Sequence, residues 1–359
     1  MIMYKKILLY VCICISTLLI ANREARTIDS DTQSSSSTSP DAGQLYQDGS
    51  AEKPSEPLGR TSISVASNLV TLQVLVTDEK GNVITGLKPG NFTVYEDKVK
   101  QEISNFSPIE ANITAVLLIE QTKRSSYSLD QHFIGQIYNI MTTFVKNLRQ
   151  GDWIGVIGYD IKPTILCDFT QDHREVLETF NSLRYPAIRE SNLFDAVFDT
   201  LDRTQEMDGK VAIILVSTGY NSFSAHTYDD VLKKCRSAKA VIYAIGMGQY
   251  YRLLLEAYGY SSALDRMDGL MADNQLKYIS EYTGGASYLP RHDTELPAIV
   301  QNISTLLRSQ YSIGYVSTNT KTDGKFRKIK VEVQADMKVD GKQVKFKVKT
   351  REGYIPRPR

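Results

Sequence analysis

The chain reads as a doubly wound α/β domain with a mostly parallel sheet, inserted into a β-sandwich assembled from its two ends. Three observations predict this. The middle of the chain alternates buried aliphatic strands with helical patterns, as chains that build parallel sheets do. The segments before and after it alternate apolar and polar residues with period two and show no helical pattern. Neither flanking segment has strands enough for a sandwich alone, whereas together they have about seven, the number in an immunoglobulin-like sandwich.

The 359 residues carry a net charge of +1, which leaves room for two domains and gives no global pull toward nucleic acid. Residues 1–25 read as a signal peptide or anchor: Lys5 and Lys6 precede the apolar run Ile7 to Ala21, which is short for a full membrane span. Ala21 and Ala25 both lack a small residue three positions upstream, so an uncleaved anchor stays open. Residues 26–62 are rich in Ser, Thr, Asp and Pro, a composition that cannot bury enough apolar area to offset its ordering entropy, and form a disordered linker. The protein is therefore expected outside the cytoplasm, in a periplasm or at a cell surface, with membrane contact only through residues 7–21. Cys167 and Cys235 are then either a disulfide in an oxidising compartment or buried apolar fillers.

Residues 63–111 form the first half of the sandwich. Val70, Leu72, Val74 and Val76 alternate with polar residues, a turn follows at Asp78 to Asn82, and Phe92 to Tyr95 and Gln101 to Phe106 supply further strands. Residues 309–357 form the second half, with Ile329, Val331 and Val333 alternating with Lys328, Lys330 and Glu332, and with Asp340-Gly341 as a two-residue hairpin turn. The lysines of this tail read as the solvated face of a hairpin, since edge strands carry Lys against sheet-to-sheet pairing.

Residues 112–308 form the α/β domain. Ile113 to Ile119 is an uninterrupted aliphatic strand, as a sheet covered on both faces requires, and it ends in Glu120, Gln121 and Thr122. Phe133, Ile137, Met141, Phe144 and Leu148 keep helical spacing; Trp153 to Tyr159 is a strand with Thr164 to Phe169 as its antiparallel partner. Asp172 and Glu175 open a helix burying Val176, Leu177, Phe180 and Leu183. A helix from Ser191 turns Leu193, Val197 and Leu201 inward; Val211 to Val216 and Ala240 to Ile245 are buried strands around a helix opened by Thr227 and Asp230; the last helix carries Leu296, Ile299, Ile303 and Leu306.

This order, with Gly151-Asp152-Trp153-Ile154-Gly155-Val156, Ser191-Asn192-Leu193-Phe194-Asp195-Ala196-Val197 and Val211 to Gly219, resembles the von Willebrand factor A domain. The flanking strands, with Asn91-Phe92-Thr93-Val94 and the tail from Arg308-Ser309-Gln310-Tyr311 to Gly353-Tyr354, resemble bacterial exported proteins of that kind. The resemblance implies a metal-ion-dependent adhesion site: Asp-x-Ser-x-Ser after the first strand, a Thr before the third helix and an Asp after the fourth strand. Carried over, these positions fall on Glu120, Thr122, Arg124, Ser191 and Thr218, and all five depart from the pattern. Arg124 puts a fixed positive charge where a ligand should be, which disfavours Mg²⁺ and offers Glu120 an ion-pair partner instead.

No cofactor is expected, with Mg²⁺ at Glu120, Thr122, Ser191 and Thr218 as the alternative. In open α/β sheets ligands bind beyond the carboxyl ends of the strands, which makes Gln121, Arg124, Ser125, Asp160, Asn192, Tyr220 and Asn221 the expected binding face. Gly248 to Asp273 reads either as a functional loop presenting Tyr250, Tyr251, Tyr258 and Tyr260 or as a packed extra helix from Arg252 to Tyr258. The four histidines are never paired at ligand spacing, and no nucleophile elbow, phosphate loop or zinc-protease motif is present. The expected function is a non-catalytic, degenerate-site adhesion module for a protein or extracellular-matrix-like partner, not a nucleic acid. The alternatives are Mg²⁺-dependent adhesion and an exported hydrolase with an unrecognised site. Nothing in the chain names an oligomeric state.

Overall fold

The computed structural model describes residues 69–107, 112–123, 127–180, 188–207, 209–257, 259, 262–321, 323–339 and 342–356. The leader and linker expected over 1–62, the Asp340-Gly341 turn, and Arg124, Ser125, Leu183, Tyr258 and Tyr260 lie outside these residues. In chain order the first strands are β1 (Leu69–Thr77), β2 (Phe92–Glu96), β3 (Val99–Gln101) and β4 (Ile103–Ser107). The α/β part follows: β5 (Ile113–Glu120), α1 (Tyr127–Lys146), β6 (Trp153–Tyr159), β7 (Pro163–Thr170), α2 (His173–Thr179), α3 (Leu193–Thr204), β8 (Lys210–Ser217), α4 (Tyr228–Ser237), β9 (Val241–Gly246), α5 (Gly248–Ala257), α6 (Ala263–Tyr282), β10 (Ala286–Tyr288) and α7 (Leu296–Arg308). The tail adds β11 (Tyr311–Val316), β12 (Arg327–Val333), β13 (Lys338–Val339), β14 (Lys342–Gln343), β15 (Lys347–Lys349) and β16 (Gly353–Tyr354).

Six strands form the central sheet in the order β10-β9-β8-β5-β6-β7, parallel except for β7, which runs antiparallel to β6. Strand β5 is central and buried on both faces because its side chains alternate between two cores. Ala115, Leu117 and Ile119 pack with Phe133, Ile140 and Phe144 of α1 and with Val300 and Ile303 of α7. Val116 and Leu118 pack on the other face with Val197 of α3, Val231 of α4 and Leu276 of α6. Such a strand has no room for a charge until it leaves the layers, which is why its one carboxylate comes at its end.

Strands from the two ends of the chain pair with each other. Strand β1 lies between β11 and β15, and β12 lies beside β2, all antiparallel, in two four-stranded sheets ordered β15-β1-β11-β4 and β16-β12-β2-β3. Leu72, Val74, Phe92, Val94, Tyr311, Ile313 and Val331 share one apolar core between them. The buried Arg351 joins this part to the α/β part, donating to Thr71 O of β1 (2.9 Å) and to Ala238 O (3.2 Å) and Ser237 O (3.4 Å) where α4 ends. At the base of the sheet the buried Asp152 accepts from Ile113 N–H (3.0 Å), Arg149 N–H (2.7 Å) and the Arg308 guanidinium, fastening β5, the turn before β6 and α7 to one carboxylate.

Two open alternatives are decided and one expectation, the burial of α2, is corrected. The stretch from Gly248 is not a long loop: α5 and the first half of α6 occupy it. Tyr251 is only 7 % exposed, against Phe133, and Tyr250 stacks on His132 with ring centroids 5.2 Å apart. Helical periodicity over Tyr251 to Leu255 outweighs the loop reading because burying one aromatic face fixes the segment. Helix α2 is two turns long and buries Val176, while Leu177 faces solvent, and Asp172 caps the helix by accepting from Arg174 N–H (3.0 Å), with no return bond from Glu175. Cys167 and Cys235 are free thiols; Cys235 is buried, and burial pushes its thiol up to about 12, so it serves as an apolar filler.

Candidate functional site

At the carboxyl end of β5 the Glu120 side chain is 0 % exposed and held by hydroxyls and an amide. The Thr122 hydroxyl donates to Oε1 (2.6 Å) and the Ser217 hydroxyl to Oε2 (3.0 Å). Thr218 donates its backbone N–H to Oε2 (2.6 Å), and its hydroxyl lies 2.9 Å from Oε1 and 2.8 Å from Oε2. Ser217 in turn accepts from the Tyr159 hydroxyl (2.8 Å) and from Gly219 N–H (2.9 Å), so β5, β6 and β8 converge on one network. Gly219 has φ +84, and a Cβ there would sit 2.6 Å from Ala272 O, so only glycine lets this turn close against α6.

Three loops enclose this network. Lys123 N–H donates to Ile188 O (2.6 Å), Gln121 N–H to Tyr159 O (2.7 Å), and Asn192 N–H to Asp160 O (2.7 Å). Ser191 is buried beside them through Ser222 N–H to its carbonyl (2.6 Å), and its own N–H meets the Ser222 hydroxyl (3.1 Å). Its hydroxyl is buried without a partner among the described residues. The first turn of α3 is closed rather than open: Phe194 N–H donates to Asn221 Oδ1 (3.1 Å) and Asp195 N–H to the Ser224 hydroxyl (3.3 Å). Asp195, in the first turn of α3, accepts from Ala225 N–H (2.8 Å), His226 N–H (2.9 Å) and His226 Nδ1 (2.7 Å). Burial alone would raise its pKa, but these hydrogen bonds outweigh burial and hold the carboxyl below its ordinary value.

Of the residues expected on the binding face, Asn192 and Asn221 are spent on holding the loops, and Asp160 is half-buried with its carbonyl on Asn192. Tyr220 is exposed. Sequence reasoning missed two apolar neighbours on this rim: Phe223, 76 % exposed, and Ile161, 50 % exposed. Asn192 links them, accepting Phe223 N–H at Oδ1 (3.0 Å) and donating Nδ2 to Ile161 O (3.0 Å). It also missed Ser217, although the Val216-Ser217-Thr218 run after an aliphatic strand carried the signal.

Among the described residues the donor set offers little to a resident Mg²⁺, which takes six oxygens in near-octahedral order and is held through carboxylates free to face it. Glu120 is, among the described residues, the sole carboxylate of the network, and both its oxygens are engaged. Among the described residues no three His, Cys, Asp or Glu side chains are grouped to hold a metal ion.

Residues 125–266 match the von Willebrand factor type A domain. The chain carries a von Willebrand factor type A domain. The matched segment begins just after β5, so Glu120 precedes it while Ser191 and Thr218 fall within it. No curated protein shows a significant sequence match. Among solved structures, the chain is similar to an aerotolerance-related membrane protein from Bacteroides fragilis at 12 % identity, covering 54 % of this chain and 99 % of that one, with a TM-score of 0.39. It is similar to the vWF domain of the type V pili tip protein Mfa5 from Porphyromonas gingivalis at 11 % identity, covering 55 % and 95 %, with a TM-score of 0.38. A third similarity is to proximal thread matrix protein 1 from the mussel byssus, at 11 % identity and a TM-score of 0.40, where 55 % of this chain spans 48 % of that one. Among the described residues no helix is long and apolar enough to cross a membrane.

Proposed function

We propose that this von Willebrand factor type A domain is a non-catalytic, extracytoplasmic adhesion module that binds a protein or matrix partner through its strand-end face without a metal ion. The observation that carries the reading is the closure of Glu120 by Thr122, Ser217 and Thr218, with Phe223 and Ile161 exposed on the loops that Asn192 joins. A buried carboxylate satisfied by hydroxyls has no need of an ion, and exposed aromatic side chains supply contact area at interfaces. Export rests on the basic and apolar composition of residues 1–25, read as a leader and followed by the Ser/Thr-rich composition of residues 26–62. Residues 63–111 with 309–357 are read as one immunoglobulin-like sandwich carrying the α/β domain of 112–308; the pairing of β1 with β11 and of β2 with β12 supports that division.

One observation favours a second reading. The Ser191 hydroxyl, at a position that the metal site of this family uses, is buried without a partner among the described residues, as Mg²⁺-dependent adhesion through Glu120, Thr122 and Ser191 would need. Binding of the purified chain to an array of exported and matrix proteins in the presence of EDTA separates the two. Retained binding that is lost in Phe223→Ser and Ile161→Ser is expected. Binding that appears only with Mg²⁺ overturns the metal-free reading, and binding unchanged in both variants overturns the assignment of the face.

A further inference from the structure

Strand β12 leaves half of one edge open. Antiparallel pairing alternates which residues exchange hydrogen bonds. The bonds from Asp97 N–H to Lys328 O (2.8 Å) and from Gln334 N–H to Asn91 O (2.9 Å) put the even-numbered residues of β12 on the β2 side. The odd-numbered residues therefore direct their N–H and C=O groups the other way. Strand β16 meets that edge at Arg327 and Lys328, and Ile329 N–H donates to Glu352 O (2.8 Å), where the contact ends. Beyond it, among the described residues, Val331 and Val333 have no backbone partner on this edge.

Across from them lies β15, itself an edge strand. Ile84 N–H donates to Val76 O (2.9 Å), so Val76 faces away from β15, the bonded pairs are Leu75 with Lys349 and Thr77 with Lys347, and the backbone of Val348 points outward. The space between is a groove of about 770 Å³ lined by Val331, Val333, Phe346 and Val348. A second hollow of about 680 Å³ continues it past Val333 and Phe346 toward Asn91 and Gln343.

Amide groups unpaired at alternate residues along an extended edge match the repeat of another strand and not that of a helix. Charge narrows the occupant further. From Lys325 to Lys349 the chain has eight lysines and one arginine against three acidic residues; Glu332 pairs with Lys330 and Glu79 with Lys345, and Glu281 and Glu352 also line the groove, while Lys328, Lys347 and Lys349 are exposed with no carboxylate partner among the described residues. A second copy of this chain would set that strip against itself, whereas an acidic strand complements it.

We propose that the open edge of β12 is a docking site for an extended, acidic segment of a protein partner. The segment adds as a strand against Val331 and Val333, seats alternate apolar side chains over Phe346 and Val348, and turns its carboxylates toward the lysines. The site is separate from the strand-end face and does not depend on what that face binds.

The test uses the full chain and a fluorescent heptapeptide alternating Glu and Val, its Lys/Val counterpart, and the Glu/Val peptide N-methylated at alternate amides, followed by anisotropy. Saturable binding of the Glu/Val peptide is expected, at least tenfold weaker for each of the other two, with hydrogen exchange at the Val331 and Val333 amides slowed by the bound peptide. Val331→Pro removes an N–H that β2 does not use and should lose binding; because it also removes a buried side chain, its melting temperature is expected to fall, and binding is read well below it, with the folded state checked by circular dichroism. The proposal is overturned by absence of saturable binding, by equal binding of the Lys/Val or N-methylated peptide, or by Val331→Pro binding as tightly as the parent. It is equally overturned if the two amides are already protected without peptide, in the monomer or in a dimer, because a segment of this chain or a second copy then holds the edge.

Discussion

Thr218 reaches the Glu120 carboxylate with two groups at once, its backbone N–H at 2.6 Å and its hydroxyl at 2.8 and 2.9 Å, although the two residues are 98 positions apart. This ties the end of β8 to the end of β5 at the point where this fold exposes its ligand face. Replacing Glu120 by Gln turns an acceptor toward the Thr218 N–H into a donor for one of the two oxygens, and a buried donor left unpaired costs about 1–3 kcal/mol. Glu120→Gln is therefore expected to lower stability to urea by that amount, whereas Ser191→Ala, which removes a hydroxyl without a partner, should be neutral or stabilising. Equal losses in the two variants would show that Ser191 has a partner of its own.

The Asp152 and Arg308 pair contributes to the pH response of the fold. Burial would raise the Asp152 pKa, but hydrogen bonds from Arg308, Ile113 and Arg149 outweigh it and hold the carboxyl below its ordinary value. A depressed folded pKa means that the stabilisation is present above the unfolded value of about 3.9 and is lost as pH falls through the folded value. Asp152→Ala is expected to cost about 3–5 kcal/mol at neutral pH, since it strands a largely buried guanidinium, and to flatten the acid limb of the stability curve. Urea melts of parent and variant between neutral and acidic pH measure both.

Arg351 couples the two parts of the chain through carbonyls, donating to Thr71 on one side and to Ser237 and Ala238 on the other. Arg351→Met keeps most of the stem's packing and orphans those acceptors, at about 1–3 kcal/mol for each one left dry. Limited proteolysis should then cut between the paired terminal strands and the α/β part sooner than in the parent, while the α/β core persists. Cleavage at the parent's rate would remove Arg351 from the coupling.

Much of this was legible in residue order. Ile113 to Glu120 reads as the central strand because only a doubly covered strand is aliphatic throughout, and Thr227 with Asp230 reads as a helix start because a capping box is local; both Thr227 bonds are present, Asp230 N–H to its hydroxyl at 3.2 Å and its N–H to Asp230 Oδ2 at 3.0 Å. What escaped lies in long-range pairing. Arg308 is 156 residues from Asp152, and Arg351 meets α4 113 residues away, so no spacing rule connects them. Ser217 escaped because its role depends on which neighbours β8 acquires, and Phe223 and Ile161 because an exposed apolar residue in a polar loop looks ordinary until Asn192 is seen joining them.

The same Asn192 separates scaffold from surface. Phe223→Ala should leave the melting temperature unchanged, since its side chain is 76 % exposed, and should weaken capture of the partner. Asn192→Ala loses bonds to Phe223 and Ile161 and is expected to cost about 1–3 kcal/mol while weakening capture as well. If Phe223→Ala binds as the parent does, the contact surface lies elsewhere.

The central claim is that the face above Glu120 is closed by hydroxyls and works without an ion. Thermal unfolding of the chain in EDTA, in millimolar Mg²⁺ and in millimolar Mn²⁺ tests it most directly, because an ion at one hundred times its dissociation constant adds about 2.7 kcal/mol. The three melting temperatures are expected to coincide. A rise of several degrees with Mg²⁺ or Mn²⁺ that Glu120→Gln abolishes would contradict the claim.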